Sequence, residues 1–321
     1  MSDPGNERAT LEDVRFSYRL LLGREPDATG YETYRRLISD TPILPRELAE
    51  HFLGSSEFRS RYNSEIIEVA LDGFVLLVRA DDGDVGKVVR QTGRWEDHVT
   101  SALRERLRPG DGFLDVGANI GYFTALAATA VGSAGRVFAI EPMDKNLQLI
   151  YGTLERNGFA QVRVHPFAAA DAAVIVRMGT HGGSSNGEVV REWNRGERPL
   201  YAQARRLDDL LCDAVRIDVA KFDIEGFELH AWRGFEAGLR RHRPIVLTEF
   251  HPKCLLENAG VEPQAYAAAL LEYGVVTVLH FDGVRSVCDS EEALMRLWQR
   301  EDAALNAAGC AHLDLLVEPR D

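Results

Sequence analysis

Phe113-Leu114-Asp115-Val116-Gly117-Ala118-Asn119-Ile120-Gly121-Tyr122-Phe123-Thr124 is the stretch on which the fold turns. An apolar run ends around an acid, a turn with two glycines follows, and an Ala/Leu-rich segment begins at once. That order reads as strand, tight turn, helix. Gly117 and Gly121 carry no Cβ, so the backbone can bend sharply there and a ligand can come close. In a βαβ unit such a turn lies at the carboxyl end of a strand, where parallel sheets bind nucleotides. Many α/β chains share a glycine-rich first turn, so the surrounding sequence has to decide what this one holds.

Downstream the pattern repeats. Strands are expected at 113–116, 136–140, 162–167, 219–223 and 245–249, with helices near 121–131, 144–157 and 227–239. Alternation of this kind implies a parallel sheet covered on both faces. The end of the chain departs from it. After a helix at 264–273, residues 275–280 and 313–317 read as two strands separated by a helix around 290–305. Upstream, residues 66–90 alternate as short strands, and Gly93-Arg94-Trp95-Glu96 leads into a helix that closes before Pro109-Gly110. Residues 11–62 form a separate pattern of three short helices, broken at Gly23-Arg24-Glu25-Pro26-Asp27 and again at Pro42 and Pro45. The expected division is therefore a three-helix domain over 1–63 and an α/β domain over 64–321, with short strands over 64–92 and the core over 93–321.

The chain has 321 residues, 45% of them hydrophobic and 27% charged, enough to bury a sizeable core. A net charge of −13 argues against a nucleic-acid backbone as partner, because phosphate affinity rests on Lys/Arg clusters. Cys212, Cys254, Cys288 and Cys310 are scattered and read as reduced thiols. The polar start lacks a basic-then-apolar leader, and no apolar run approaches the roughly 18 residues that span a bilayer. The expected compartment is the cytoplasm.

The cofactor follows from the loop's neighbours. Glu141 ends the apolar run Val137-Phe138-Ala139-Ile140, 24 residues after Gly117, and Pro142 follows it. An acid at the end of the second strand commonly accepts hydrogen bonds from both ribose hydroxyls. A dinucleotide loop needs G-x-G-x-x-G, yet the position two after Gly117 is Asn119. Asp115 would oppose a pyrophosphate and suits a cationic sulfonium with an α-amino group. S-adenosylmethionine fits this loop and NAD does not. Asp171, after Phe167-Ala168-Ala169-Ala170, could accept from an adenine amino group, the alternative being a plain turn aspartate.

Acceptor chemistry is expected where the next strands end. Lys221-Phe222-Asp223-Ile224-Glu225-Gly226-Phe227-Glu228 ends the fourth, and Thr248-Glu249-Phe250-His251-Pro252 the fifth. Both open onto the face of the glycine loop. A hydroxyl needs a base in reach or a metal to lower its pKa. Asp223, Glu249 and His251 are the base candidates, with Glu225 beside them and Lys221 placed to orient a carboxylate. Asp223 and Glu249 could also ligate Mg2+ or Mn2+, which prefer oxygen donors. The Gly/Ser-rich segment 179–187 has the composition of a lid, with His181 as a weaker base candidate. Trp193 and Tyr201 could stack on a sugar ring, whereas Trp232 reads as core.

Taken together, Asp115–Thr124, Ile140-Glu141-Pro142, Arg206–Leu210, Lys221–Glu228 and Pro244–Glu249 resemble, in order and spacing, the FkbM-type methyltransferases over about residues 66–281. The resemblance implies a class I, Rossmann-like, doubly wound seven-stranded sheet behind the small helical bundle. It also implies S-adenosylmethionine-dependent methyl transfer to a hydroxyl of a sugar, glycolipid or polyketide. Carried over, Asp115, Gly117, Ala118, Asn119, Gly121, Glu141 and Pro142 would hold the cofactor with Asp223, while Asp223, Glu225 and Glu249 would border the acceptor. Phe222 and Phe227 stand where smaller residues are more usual, which is expected to reshape that pocket. Leu22-Gly23-Arg24-Glu25-Pro26-Asp27 with Ser55-Ser56-Glu57-Phe58 is similar to a bacterial domain of unknown function found in cell-surface and sugar-modifying proteins. It carries no side-chain set for chemistry, so packing, protein docking or homo-oligomer formation is expected of it, and it tilts the acceptor towards a saccharide. The competing readings are an NAD-dependent sugar oxidoreductase and a non-catalytic cofactor-binding module.

Overall fold

Thr10 starts the first helix because its hydroxyl accepts from the Asp13 amide at 3.2 Å while Asp13 accepts from the Thr10 amide at 2.8 Å. The computed structural model describes residues 8–22, 24–55, 57, 65–179, 188–189 and 200–320. They fall into two compact units, the first running to Ile66 and including Arg79–Asp81, the second comprising the remainder. In the first, α1 (Leu11–Leu21), α2 (Ala28–Asp40) and α3 (Pro45–Leu53) close on Val14, Tyr18, Leu48 and Phe52, with Tyr34 stacked on Phe52 at 4.2 Å. Asp27 caps α2 through the Gly30 amide. Gly23, Ser56 and Phe58 lie outside the described residues.

The second unit opens with a hairpin, β1 (Ile66–Leu71) and β2 (Phe74–Arg79), of which only Ile66 and Arg79 fall to the first, then α4 (Val85–Thr92) and α5 (Asp97–Arg106). Next come β3 (Gly112–Val116), α6 (Tyr122–Val131), β4 (Arg136–Ile140), α7 (Asp144–Asn157) and β5 (Val162–His165). A small sheet follows, β6 (Ala168–Ala169), β7 (Val174–Gly179), β8 (Glu188–Val189) and β9 (Leu200–Arg205), in the order β6-β9-β7-β8. Then α8 (Leu207–Leu210), β10 (Val219–Phe222), α9 (Glu228–Arg233), α10 (Glu236–His242) and β11 (Ile245–Phe250) complete the alternation. The last part comprises α11 (Pro252–Cys254) running into a π turn, α12 (Pro263–Tyr273), β12 (Gly274–Leu279), β13 (Arg285–Cys288), α13 (Glu291–Leu305) and β14 (Leu313–Pro319).

The main sheet has the order β13-β12-β14-β11-β10-β3-β4-β5. Strands β11 to β5 pair in parallel, and β14 enters antiparallel between β11 and β12. The expected seven-stranded, doubly wound sheet is present, and β13 adds an eighth strand at its edge through the Asp282-Gly283 turn. Strands β3 and β10 are buried along their whole length, as strands covered on both faces must be. From β3 the chain winds outward to β4 and β5, then returns to build β10 and β11 on the other side. The crevice between the carboxyl ends of β3 and β10 is thus the topological switch point.

Three expectations change. The stretch expected as one helix over 227–239 is two, broken at Gly234, where a Cβ would lie 2.0 Å from the Ala170 carbonyl oxygen. Phe222 does not face the pocket: it is fully buried against Trp232 and Phe235, so only Phe227 of the two phenylalanines lines the cavity. The β7–β9 pairing was not anticipated, because Val174–Gly179 and Leu200–Arg205 flank the segment read as a lid.

Candidate active site

Strand β3 ends at Val116, and the loop that follows is tied to β4: the amides of Gly117 and Ala118 both donate to the Ile140 carbonyl at 3.0 Å. Gly117 has φ +86°, and a Cβ there would stand 1.9 Å from the carbonyl oxygen of Asp223. No other residue fits, so the loop lies directly on the end of β10. Asn119 also adopts a left-handed conformation, φ +53°, with its Oδ1 accepting from the Ile120 amide at 2.6 Å. Gly121, φ +89°, starts α6. Asp115 lies fully buried beneath the loop and accepts from the Thr124 hydroxyl at 2.5 Å, while its Oδ1 has no partner. Burial raises its pKa, against the pull of Lys221 and Thr124.

Around this loop a cavity of about 290 Å³ opens, lined on one side by Ala118, Asn119, Glu141, Pro142, Phe167 and Ala168. Glu141 is buried and preorganised. It accepts from the Asn119 amide at 2.9 Å, the Met143 amide at 2.8 Å and the Asn146 side chain at 3.4 Å. Burial nonetheless pushes it up to about 7. A carboxylate has about four acceptor positions, so acceptor capacity remains for a ligand hydroxyl. Asp171 stands elsewhere. It is not among the cavity-lining residues, and its carboxylate is held by His230 Nδ1 at 2.9 Å.

The other side of the cavity gathers Lys221, Asp223, Glu225, Glu249 and His251, all five residues expected at the strand ends. Lys221 is buried, lies over the Phe123 ring at 4.6 Å, and donates to Asp223 Oδ2 at 2.6 Å. Burial alone would depress its pKa, but Asp223, Glu96 and Asp115 outweigh it and hold the ammonium charged. Glu225 has φ +55° in the turn after β10. That turn is closed by the buried Glu228, which accepts from the Ile224 and Gly226 amides at 2.9 and 3.1 Å.

Glu249 is only 9% exposed, and its Oε2 has no partner. Burial, then the nearby Asp223, Glu225, Glu228 and Asp314, raise its pKa well above the ordinary carboxyl range. His251 Nδ1 accepts from the Cys254 amide at 3.3 Å, capping α11, which places the neutral ring's proton on Nε2. Burial and the adjacent His312 lower its pKa to about 4. His251 therefore presents a donor to the cavity.

Among the described residues no group of three or more His, Cys, Asp or Glu is placed to hold a metal ion. Of the two residues expected to ligate one, Asp223 gives Oδ2 to Lys221. His181 and Trp193, with most of the segment read as a lid, lie outside the described residues. Tyr201 is exposed on β9, and Trp232 packs in the core.

Two cavity residues carried no sequence signal. Glu96 stands just before α5 with φ +42°, half-buried, its Oε2 sealed from water and unpartnered, and burial pushes it up to about 8. His312, 34% exposed, lies 3.5 Å from Glu249 Oε1 at the start of β14.

Residues 115–273 match the methyltransferase FkbM domain. Curated proteins give no match. Similar solved structures include methyltransferase FkbM from Methylobacillus flagellatus, 17% identical over 83% of this chain and 73% of that one, with a TM-score of 0.36. A SAM-dependent O-methyltransferase from Thermotoga maritima is 14% identical over 85% and 82%, TM-score 0.37. An rRNA methylase from Streptococcus thermophilus is 12% identical over 70% and 95%, TM-score 0.37. These likenesses are too distant to bear on substrate or mechanism, which rest on the site itself.

Proposed function

We propose that residues 115–273, which match the methyltransferase FkbM domain, use S-adenosylmethionine to methylate a hydroxyl group of a saccharide. The cavity suits that cofactor on its own terms. Glu141 retains acceptor capacity for a ribose hydroxyl, Pro142, Phe167 and Ala168 offer a flat apolar wall for a base, and Gly117 keeps the loop clear of side chain. A pyrophosphate would find no uncommitted lysine or arginine among the described lining residues, since Lys221 is bound to Asp223.

When bound, the cofactor supplies an electrophilic methyl group on a sulfonium, whose carbon passes to the acceptor oxygen while the bonding pair stays on sulfur. The protein positions the two reactants, and that proximity is the main source of rate. Asp223 takes the proton released as the C–O bond forms. His251 Nε2–H is a donor that orients the acceptor, and Glu249 borders it from β11. Lys221 holds Asp223 in place through the hydrogen bond from Nζ to Oδ2 at 2.6 Å.

The observation that carries this reading is the Lys221–Asp223 pair, 2.6 Å long, at the lip of the cavity beside the glycine loop. Transfer of labelled methyl to a saccharide panel tests it. D223N should lose about 10²–10⁴-fold in turnover while cofactor affinity by calorimetry stays within about threefold. Full activity in D223N would sink the assignment of the base.

A further inference from the structure

Resting on the reading of this cavity as the acceptor site, we infer that the acceptor carries a protonated amine beside the hydroxyl that is methylated, and that Glu249 receives it. Glu249 stands on β11, separated by β10 from the strand whose loop holds the cofactor. It is nine-tenths buried, lines the cavity, and has one carboxyl oxygen with no partner. A buried carboxyl oxygen left without a hydrogen bond is destabilising, and such groups in folded proteins nearly always have a partner.

A second, separate residue points the same way. Glu96 comes from a different segment, and its Oε2 is also sealed and unpartnered. Its backbone is held at φ +42°, a conformation that a residue with a Cβ adopts only against strain.

The class of ligand follows from what these two oxygens require. A phosphate or carboxylate on the acceptor would meet Glu96, Glu225 and Glu249, and the one lysine among the described lining residues is committed to Asp223. A neutral hydroxyl brings one donor and cancels no charge. An ammonium brings three donors and opposite charge, so it satisfies the orphaned oxygen of Glu249, lets that carboxyl ionise and suits the acidic wall to which Glu96 belongs. An amino sugar, with its amine next to a ring hydroxyl, has this arrangement.

The test titrates the full chain, saturated with S-adenosylhomocysteine, with glucosamine, glucose and glucose 6-phosphate, and runs methyl transfer with the same three probes. Glucosamine should bind at least tenfold more tightly than glucose, and glucose 6-phosphate should give no binding heat. E249Q should shrink the preference to within about twofold and E96Q should reduce it by less, with cofactor affinity held in both. Glucosamine binding no tighter than glucose, or a preference that survives E249Q, overturns the inference. If glucosamine is preferred but tandem mass spectrometry finds methyl on nitrogen and none on oxygen, the O-methylation reading falls and the amine assignment stands.

Discussion

The two ends of the cavity treat their carboxylates in opposite ways. At the β3–β4 end, Glu141 is buried yet filled, with two backbone amides and Asn146 on its oxygens. At the β10–β11 end, Glu249 and Glu96 are sealed from water with one oxygen each left unpartnered. Both carboxyls pay desolvation, but only Glu141 has both oxygens engaged by the protein itself; Asp115, beneath the loop, keeps Oδ1 unpartnered. The cofactor end is thus a finished socket, and the acceptor end is completed by what binds there.

The largest effect is expected where the socket is tightest. G117A must accommodate a Cβ 1.9 Å from the Asp223 carbonyl at φ +86°. Strain of about 1–3 kcal/mol from the dihedral adds to the displacement of β10. The midpoint of thermal unfolding should fall by about 6–12 °C, and cofactor affinity by more than about 100-fold. A variant that binds the cofactor normally would mean that the loop does not rest on β10 in solution.

Next comes E141Q, which removes the charge but keeps the shape. A hydrogen bond to a charged group is worth about 1.5–3 kcal/mol, so cofactor affinity should drop about tenfold to a hundredfold. The pH dependence separates this from a packing defect. Burial pushes the Glu141 pKa up to about 7, and a ribose hydroxyl bonds best to the ionised form. Wild-type affinity should therefore rise between pH 6 and 8, whereas the variant's should stay flat.

How much of this contrast is written in the chain depends on which strands carry it. Asp115, Glu141, Asp223 and Glu249 each lie in or just after an apolar run, and parallel strands bring their carboxyl ends to one face. That rule made both halves of the cavity legible. Glu96 follows no apolar run, and its position depends on a left-handed backbone that composition does not signal. His312 and Asp314 reach the site because β14 is antiparallel: its first residues pair with the last of β11, Asp314 opposite Glu249. Leu313–Val317 could be read as a strand, but its partner and direction could not. Glu228 looked like one more motif acid, and only its bonds to two turn amides show that it shapes the backbone.

A smaller effect concerns stability. Glu249 in the folded chain titrates well above its ordinary value, so above pH 4.5 the unfolded chain loses a proton that the folded one keeps. Stability falls as pH rises from there. Glu96, Glu141 and Glu228, pushed up to about 8, 7 and 7, act in the same direction. His251, lowered to about 4, acts in reverse and costs stability below its ordinary 6.5. E249Q removes one uncompensated acid, so the cofactor-free variant should melt above wild type by about 2–6 °C at pH 8, with the gap closing towards pH 5. An equal gap at both pH values would show that Glu249 is already satisfied and that the acceptor end is as finished as the other.

The smallest effect is expected from Asp171, for which the sequence offers either an adenine contact or a plain turn aspartate. Its carboxylate is 41% exposed, faces His230, and lies outside the cavity-lining set, whose wall near β6 is made by Phe167, Ala168 and Ala169. An exposed pair of this kind contributes about 0–1 kcal/mol. D171A should leave cofactor affinity within about twofold of wild type and move the melting point by no more than about 2 °C. A tenfold loss of affinity would instead place an adenine contact on Asp171, with His230 giving way as the ligand enters. The cofactor end would then be as dependent on its ligand for completion as the acceptor end, and the contrast between the two would lapse.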